Sequence, residues 1–138
     1  MRQIKIEKEN AWGISEEKNK GFSLSYSDEE KEAVIFDLSE DEASKLIPKE
    51  PVAQLWKEIN QINFQKVMLE NENHIGFDGS NSILELSVGL HSLRLSLWCP
   101  SLELYREKNM DESFKLLMII NAIVKFAADN NVATDFEF

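Results

Sequence analysis

LELSVGLHSLRLSL, residues 84–97, is the stretch of sequence that decides the fold. Apolar residues occupy every second position in each half of it, which is the period of a half-buried β-strand. Gly89 and the pair His91–Ser92 lie between the two halves, and so short a link predicts a β-hairpin. Pro100 should end the second strand, because proline cannot donate a hydrogen bond to the sheet.

Three shorter alternating runs precede this hairpin, and they predict strands over residues 4–6, 22–26 and 32–38. The third run has apolar residues on both of its faces, as a central strand does. Residues Phe64–Glu70 are expected to return as one more strand. The sequence therefore predicts about six strands.

Three helices are expected. Ser39 and Glu42 have the spacing of a capping box, so a short helix should run to Leu46. Pro51 can serve as the first residue of a second helix, where its missing N–H is harmless. The second helix carries one apolar stripe for the core, made of Val52, Leu55, Trp56, Ile59 and Ile62.

The third helix, from Asp111 to about Asp129, is apolar over more than half of its circumference and should be largely buried. Its apolar residues are Phe114, Leu117, Met118, Ile120, Ile123, Val124 and Ala127. Strands that are joined by hairpins, rather than alternating with helices, favour an α+β fold. We expect an antiparallel sheet of about six strands packed against about three helices, with a long C-terminal helix.

Length and composition limit the classes of function. The chain has 138 residues, of which 43% are hydrophobic, and this suits a single domain over residues 1–138. Its net charge is −10 and its 15 Lys and Arg residues are scattered, so nucleic acid is not an expected partner. The longest apolar run, Leu116–Ile120, is too short to cross a bilayer.

The expected compartment is a reducing cytoplasm. The N-terminal stretch 1–13 has no apolar run of signal-peptide length. The single cysteine, Cys99, cannot form an intramolecular disulfide, and the sequence contains no CxxC motif for zinc.

The titratable residues predict no catalytic, metal or cofactor site. A nucleophilic Cys99 would need a histidine base, and His91 is expected at the far end of the same hairpin. His74 and His91 are expected to be solvated turn residues, and their spacing with Asp78 does not resemble a metal motif. The glycines form neither a GxGxxG nor a P-loop pattern. The chain is therefore expected not to be an enzyme.

Residues 28–42, DEEKEAVIFDLSEDE, hold eight carboxylates and one lysine and account for −7 of the net charge of −10. One interpretation is a solvated turn at 28–32 followed by the ordinary acidic first turn of a helix at 40–42. The other is a binding surface for a basic partner. The residues of such a surface would be Asp28, Glu29, Glu30, Glu32, Glu40, Asp41 and Glu42, with Trp12 as an aromatic anchor that otherwise packs on the sheet.

Residues 74–128 contain HIGFDG, a strand, Gly89, a second strand ending in Trp98-Cys99-Pro100, and a long apolar helix. This layout resembles that of small bacterial proteins, among them immunity proteins of contact-dependent growth inhibition and related polymorphic-toxin systems. The resemblance implies a cytoplasmic inhibitor that binds one cognate toxin domain and has no catalytic residues of its own. It assigns no binding residues, because such inhibitors diversify at their binding surfaces.

Three functions follow as hypotheses. The leading one is an inhibitor of a basic, nuclease-like toxin, since complementary charge speeds association. The second is a structural or adaptor domain of a bacterial assembly, for which a homo-oligomer is open. The third, a small enzyme or ligand-binding domain, would require a pocket that holds His74, Asp78 or His91.

Overall fold

A six-stranded antiparallel sheet with four helices makes up the computed structural model, which describes residues 1–9, 20–38, 44–74 and 81–132. The strands are β1 (Arg2–Glu9), β2 (Lys20–Tyr26), β3 (Glu32–Asp37), β4 (Ser44–Pro48), β5 (Asn81–Val88) and β6 (His91–Trp98). The helices are α1 (Lys49–Ile59), α2 (Phe64–Glu70), α3 (Leu102–Glu107) and α4 (Asp111–Asp129). The predicted α+β class, the six-stranded antiparallel sheet and the long C-terminal helix are confirmed.

The strand order is β4-β3-β2-β1-β5-β6, and every neighbouring pair is antiparallel. Strand β1 lies at the centre, where Ile4 faces Leu24 on one side and Leu86 on the other. The β5–β6 hairpin is also confirmed, although its two turn residues are Gly89 and Leu90. The pair His91–Ser92, expected in the link, belongs to β6 instead.

One face of the sheet packs against the helices and supplies half of the core. Its fully buried residues alternate along the strands, as the sequence predicts, and include Ile4, Ile6, Phe22, Leu24, Ile35 and Leu97. The helices supply the other half, with Val52, Ile59, Leu116, Leu117 and Ile123. Helix α1 contacts β2, β3 and α4.

The strand predicted over Phe64–Glu70 is wrong, because these residues form helix α2. Asn63 caps the helix: its side-chain oxygen accepts a hydrogen bond from the backbone N–H of Lys66 at 3.1 Å. Val67 is the one buried residue of this helix, whereas a half-buried strand would bury every second residue. Asn63 is a favourable N-cap residue, so the sequence contained a signal for a helix that the strand prediction did not use.

The short helix predicted up to Leu46 is wrong for its described part, since Ser44–Pro48 forms the edge strand β4. Pairing with β3 decides this outcome, with Ile47 opposite Ala33 and both residues buried. The preceding residues 39–43, which include the proposed capping box, lie outside the described residues. The sixth strand of the sheet is therefore β4 and not the segment expected.

Three further details differ at the helices. Pro51 is the third residue of α1 rather than the first, which is equally harmless because the first-turn N–H groups have no partner within a helix. Helix α3 was not expected, and it begins after Ser101, whose hydroxyl accepts from the Leu104 N–H at 3.3 Å. Met118 of α4 was assigned to the core, but its side chain is 54% exposed.

Within the described residues, no helix combines the length and apolarity needed to cross a membrane.

Candidate functional site

The β2–β3 turn presents four of the predicted binding residues to solvent. Asp28, Glu29 and Glu30 lie in the turn itself, and Glu32 opens β3. All four side chains are exposed. The turn lies at the end of the sheet where β1 begins, because Tyr26 at the end of β2 faces Arg2 at the start of β1.

Two cations hold the turn in place. Arg2 Nη1 donates to Asp28 Oδ1 at 2.6 Å, and this hydrogen bond with its positive charge holds the pKa of the Asp28 carboxyl below its ordinary value. Lys49 Nζ donates to the carbonyl oxygens of Asp28 at 3.1 Å and of Glu30 at 3.2 Å. Both cations lie over the ring of Tyr26, at 5.6 Å and 5.9 Å from its centroid.

These contacts change what the acidic cluster can do. Arg2, Lys49 and Lys31 of the turn itself offset most of the four negative charges there. Asp28 forms an ion pair with Arg2, so its negative charge is already neutralised within the protein. Among the described residues, Glu29 and Glu30 have no ion-pair partner within 4 Å. Glu32 likewise has none among the described residues, so the negative charge that remains for a partner lies on these three glutamates.

The other predicted binding residues cannot be assigned to this surface. Trp12, Glu40, Asp41 and Glu42 lie outside the described residues.

An apolar groove, which the sequence did not predict, opens at the same end of the sheet. It has a volume of about 280 Å³ and lies between the helices and the β5–β6 hairpin. Its apolar and aromatic walls include Trp56, Phe64, Val88 and Leu93, with the polar residues Asn60, His91 and Ser92 beside them. Trp56, expected in the core, packs against the core with one side and lines this groove with the other.

His91 lies far from Cys99 along strand β6. His91 begins β6, whereas Trp98 and the adjoining Cys99 are at its other end. Seven strand steps separate these ends by about 23 Å, so the predicted distance between His91 and Cys99 is confirmed. No group of three or more His, Cys, Asp or Glu side chains that could hold a metal ion occurs in residues 1–9, 20–38, 44–74 and 81–132.

His74 is not the solvated turn residue that was expected, because its side chain is only 8% exposed. Its ring meets Tyr105 edge to face, with centroids 5.8 Å apart. Its Nδ1 lies 3.3 Å from Lys108 Nζ, and since an ammonium group can only donate, Nδ1 accepts and the proton of the neutral ring is on Nε2. Nε2 is buried and has no hydrogen-bond partner among the described residues.

Burial lowers the pKa of His74, and the charge of Lys108 lowers it further. The backbone of Trp98 and Cys99 nearby acts in the opposite direction and is the weaker influence. Burial likewise raises the pKa of Tyr105, whose hydroxyl is enclosed and lacks a partner in the described part of the chain. His74 and Tyr105 are therefore both neutral near pH 7, and they pack the junction between α2 and α3.

A comparison of the chain with protein-family models gives no match, and a comparison with curated proteins gives none either.

Proposed function

We propose that this protein is an immunity-type inhibitor, which binds and neutralises a basic, nuclease-like bacterial toxin domain in the cytoplasm. The observation that carries the proposal is the exposed β2–β3 turn, where Glu29 and Glu30 have no ion-pair partner among the described residues. The layout of residues 74–128, which resembles immunity proteins, supports the same function. Neither a metal nor a cofactor is part of the proposed activity.

The geometry of the turn suits recognition because it is preorganised. Arg2 and Lys49 fix the side chain of Asp28 and two backbone carbonyls, so the turn does not need to be ordered when a partner binds. Exposed carboxylates next to a fixed backbone give a local negative potential. Such a potential accelerates encounter with a positively charged cleft, to as much as about 10⁸–10⁹ M⁻¹s⁻¹ at low salt.

The test is the association rate with the purified toxin domain encoded by the gene immediately upstream. The double variant Glu29→Lys, Glu30→Lys should slow association by about tenfold or more and should flatten its salt dependence, because the rate enhancement comes from screened charge. The same variant should protect cells less well from that toxin.

A matched control keeps the change in total charge equal. Glu103 and Glu107 are exposed on α3, which follows the opposite end of β6. The variant Glu103→Lys, Glu107→Lys should associate almost as fast as the wild-type protein. Equal slowing by both double variants would show that only net charge matters, and failure of the wild-type protein to bind or neutralise the toxin would overturn the function.

A structural or adaptor role is the second candidate, and one observation favours it. On the face of the sheet away from the buried core, Val34 and Phe36 are half-buried and Leu46 is 63% exposed beside them. A second copy of the chain could cover this apolar strip in a homodimer. Light scattering of the pure protein would give a dimeric mass in that case, and Leu46→Ser would reduce it to the mass of a monomer.

A further inference from the structure

The tip of the β5–β6 hairpin carries a leucine that contributes nothing to the core. Gly89 and Leu90 are the two turn residues, and the side chain of Leu90 is 103% exposed. Gly89 has a φ of 58° while Leu90 keeps a negative φ, which is the pattern of a type II′ turn. Polar residues and glycine normally fill such turns, so local structure gives no reason for leucine.

Leu90 is part of a larger apolar surface. Met1, which is 75% exposed, accepts a hydrogen bond from the Gly89 N–H at its carbonyl oxygen at 3.1 Å. Val88 precedes the turn and is 46% exposed. A single exposed leucine would need no explanation, but three neighbouring exposed apolar residues, of which Val88 also lines the groove, do.

The groove beside this tip exists because the helices do not cover the end of the hairpin. Val88 occupies the same side of β5 as the buried Leu84 and Leu86, yet it is left partly open. The volume of about 280 Å³ is at the lower limit for a pocket that encloses a small molecule. An open groove of this size, with Trp56 and Phe64 in its wall, suits one or two side chains of a protein partner.

The acidic turn lies at the same end of the sheet. Tyr26 before the β2–β3 turn and Val88 before the β5–β6 turn both face Arg2 from opposite sides of β1. Three strand spacings separate the centres of the two turns, which is about 14 Å. Both fit within one side of an ordinary protein interface, about 800 Å².

We infer that the hairpin tip, defined as Met1, Val88 and Leu90 with the adjoining groove, is the apolar anchor of an interface with a basic protein domain that presents an apolar side chain beside its cations. The inference rests on the proposed function and names the surface that this function would use. Charge complementarity identifies the partner: its cations meet Glu29 and Glu30, and its apolar side chain enters the groove. The acidic turn then governs how fast the complex forms, and the hairpin tip governs how long it lasts.

The test compares Leu90→Ser with Leu46→Ser in binding to the toxin domain encoded upstream, measured by surface plasmon resonance at several salt concentrations. Both leucines are exposed, so neither change should alter the thermal unfolding of the free protein. Leu90→Ser should raise the dissociation rate by about tenfold or more, with the association rate and its salt dependence unchanged. Leu46 lies on the other face of the sheet, so Leu46→Ser should change neither the association rate nor the dissociation rate.

Each other result has a definite meaning. If the wild-type protein binds the toxin and both leucine variants bind equally well, the hairpin tip is not the anchor, while the proposed function stands. If the wild-type protein does not bind, the proposed function and this partner both fall. If light scattering shows a dimer that Leu90→Ser dissociates, a second copy occupies the surface, and the inference of a basic partner is overturned.

Discussion

Glu70 of helix α2 caps helix α4 through Ser113. Its Oε1 accepts from the backbone N–H of Ser113 at 2.8 Å and from the hydroxyl at 2.7 Å, and Oε2 accepts from the Glu112 N–H at 3.3 Å. Met110, the N-cap residue of α4, makes no side-chain hydrogen bond. The cap therefore comes from a residue 43 positions away in the sequence, and it ties the two helices together.

Removing this cap should weaken the fold. Glu70→Ala leaves two first-turn N–H groups and a hydroxyl without their acceptor, and we expect the free energy of unfolding to fall by about 1–2 kcal/mol. Urea denaturation followed by circular dichroism measures the change. Glu72→Ala is the control, since Glu72 is exposed just beyond the same helix; equal losses in the two variants would contradict the capping role.

The Glu70–Ser113 pair also marks the limit of what the sequence could predict. Alternation in residues 84–97 is a local pattern, so the hairpin could be found from it. A hydrogen bond between segments that are distant in the chain leaves no such pattern. In Phe64–Glu70 the local pattern was weak, and the cap at Asn63 and packing on α4 decided in favour of a helix.

The candidate site was predictable in part for a similar reason. The acidic turn is visible in the sequence because its charges are consecutive, but the cations that offset it come from β1 and α1. Leu90 continued the alternation of its strand, and only the fold shows that it lies in the turn and is exposed. The burial of His74 had no sequence signal, since Tyr105 and Lys108 reach it from another helix and its C-terminal end.

His74 should make stability depend on pH. Its pKa is lowered in the folded protein, so below about pH 6.5 the unfolded chain binds a proton that the folded protein does not. Stability should therefore be constant above this pH and fall as the pH drops below it, by at most about 1.4 kcal/mol per pH unit. Carboxyl groups with lowered pKa values, such as Asp28, act in the same direction but at lower pH.

Urea midpoints between pH 5 and pH 8 measure this effect. His74→Gln should remove most of the slope between pH 5 and pH 6.5, whatever its stability at pH 8. His91→Gln is the matched control, because His91 is exposed at the start of β6. A slope that persists in His74→Gln but disappears in His91→Gln would show that His74 is not the cause of the pH dependence.

Two glycines should respond differently to substitution. A Cβ on Gly21 would lie 2.5 Å from the backbone oxygen of Ile6, which the sheet holds in place. Gly89 has open space around it but a φ of 58°. Gly21→Ala should cost about 1–3 kcal/mol through overlap, and Gly89→Ala about 1–2 kcal/mol through its backbone conformation.

Asparagine separates the two causes, because it tolerates a positive φ better than alanine but is larger. Gly89→Asn should be more stable than Gly89→Ala, whereas Gly21→Asn should be at least as unstable as Gly21→Ala. Thermal and urea unfolding of the four variants measure the order. Recovery of stability in Gly21→Asn would argue against overlap at that position.

The ion pair between Arg2 and Asp28 predicts how the acidic turn titrates. With Arg2 present, the hydrogen bond and the positive charge keep the pKa of Asp28 low, so the pair is lost only as the pH falls through that lowered value. In Arg2→Gln the pKa of Asp28 should rise towards its ordinary value, which NMR titration of the side-chain carboxyl would measure. Global stability should change little, because the pair is exposed.

The same variant should strengthen the negative potential of the turn, since one of the cations that offset it is gone. Association with a basic toxin domain should then become faster and more dependent on salt. Arg94→Gln removes an equal charge from an exposed residue whose ion pair, with Glu9 at 3.8 Å, is elsewhere on the sheet. It should leave the titration of Asp28 unchanged and the association rate nearly so; an equal gain in rate for both variants would mean that total charge, and not the turn, controls the encounter.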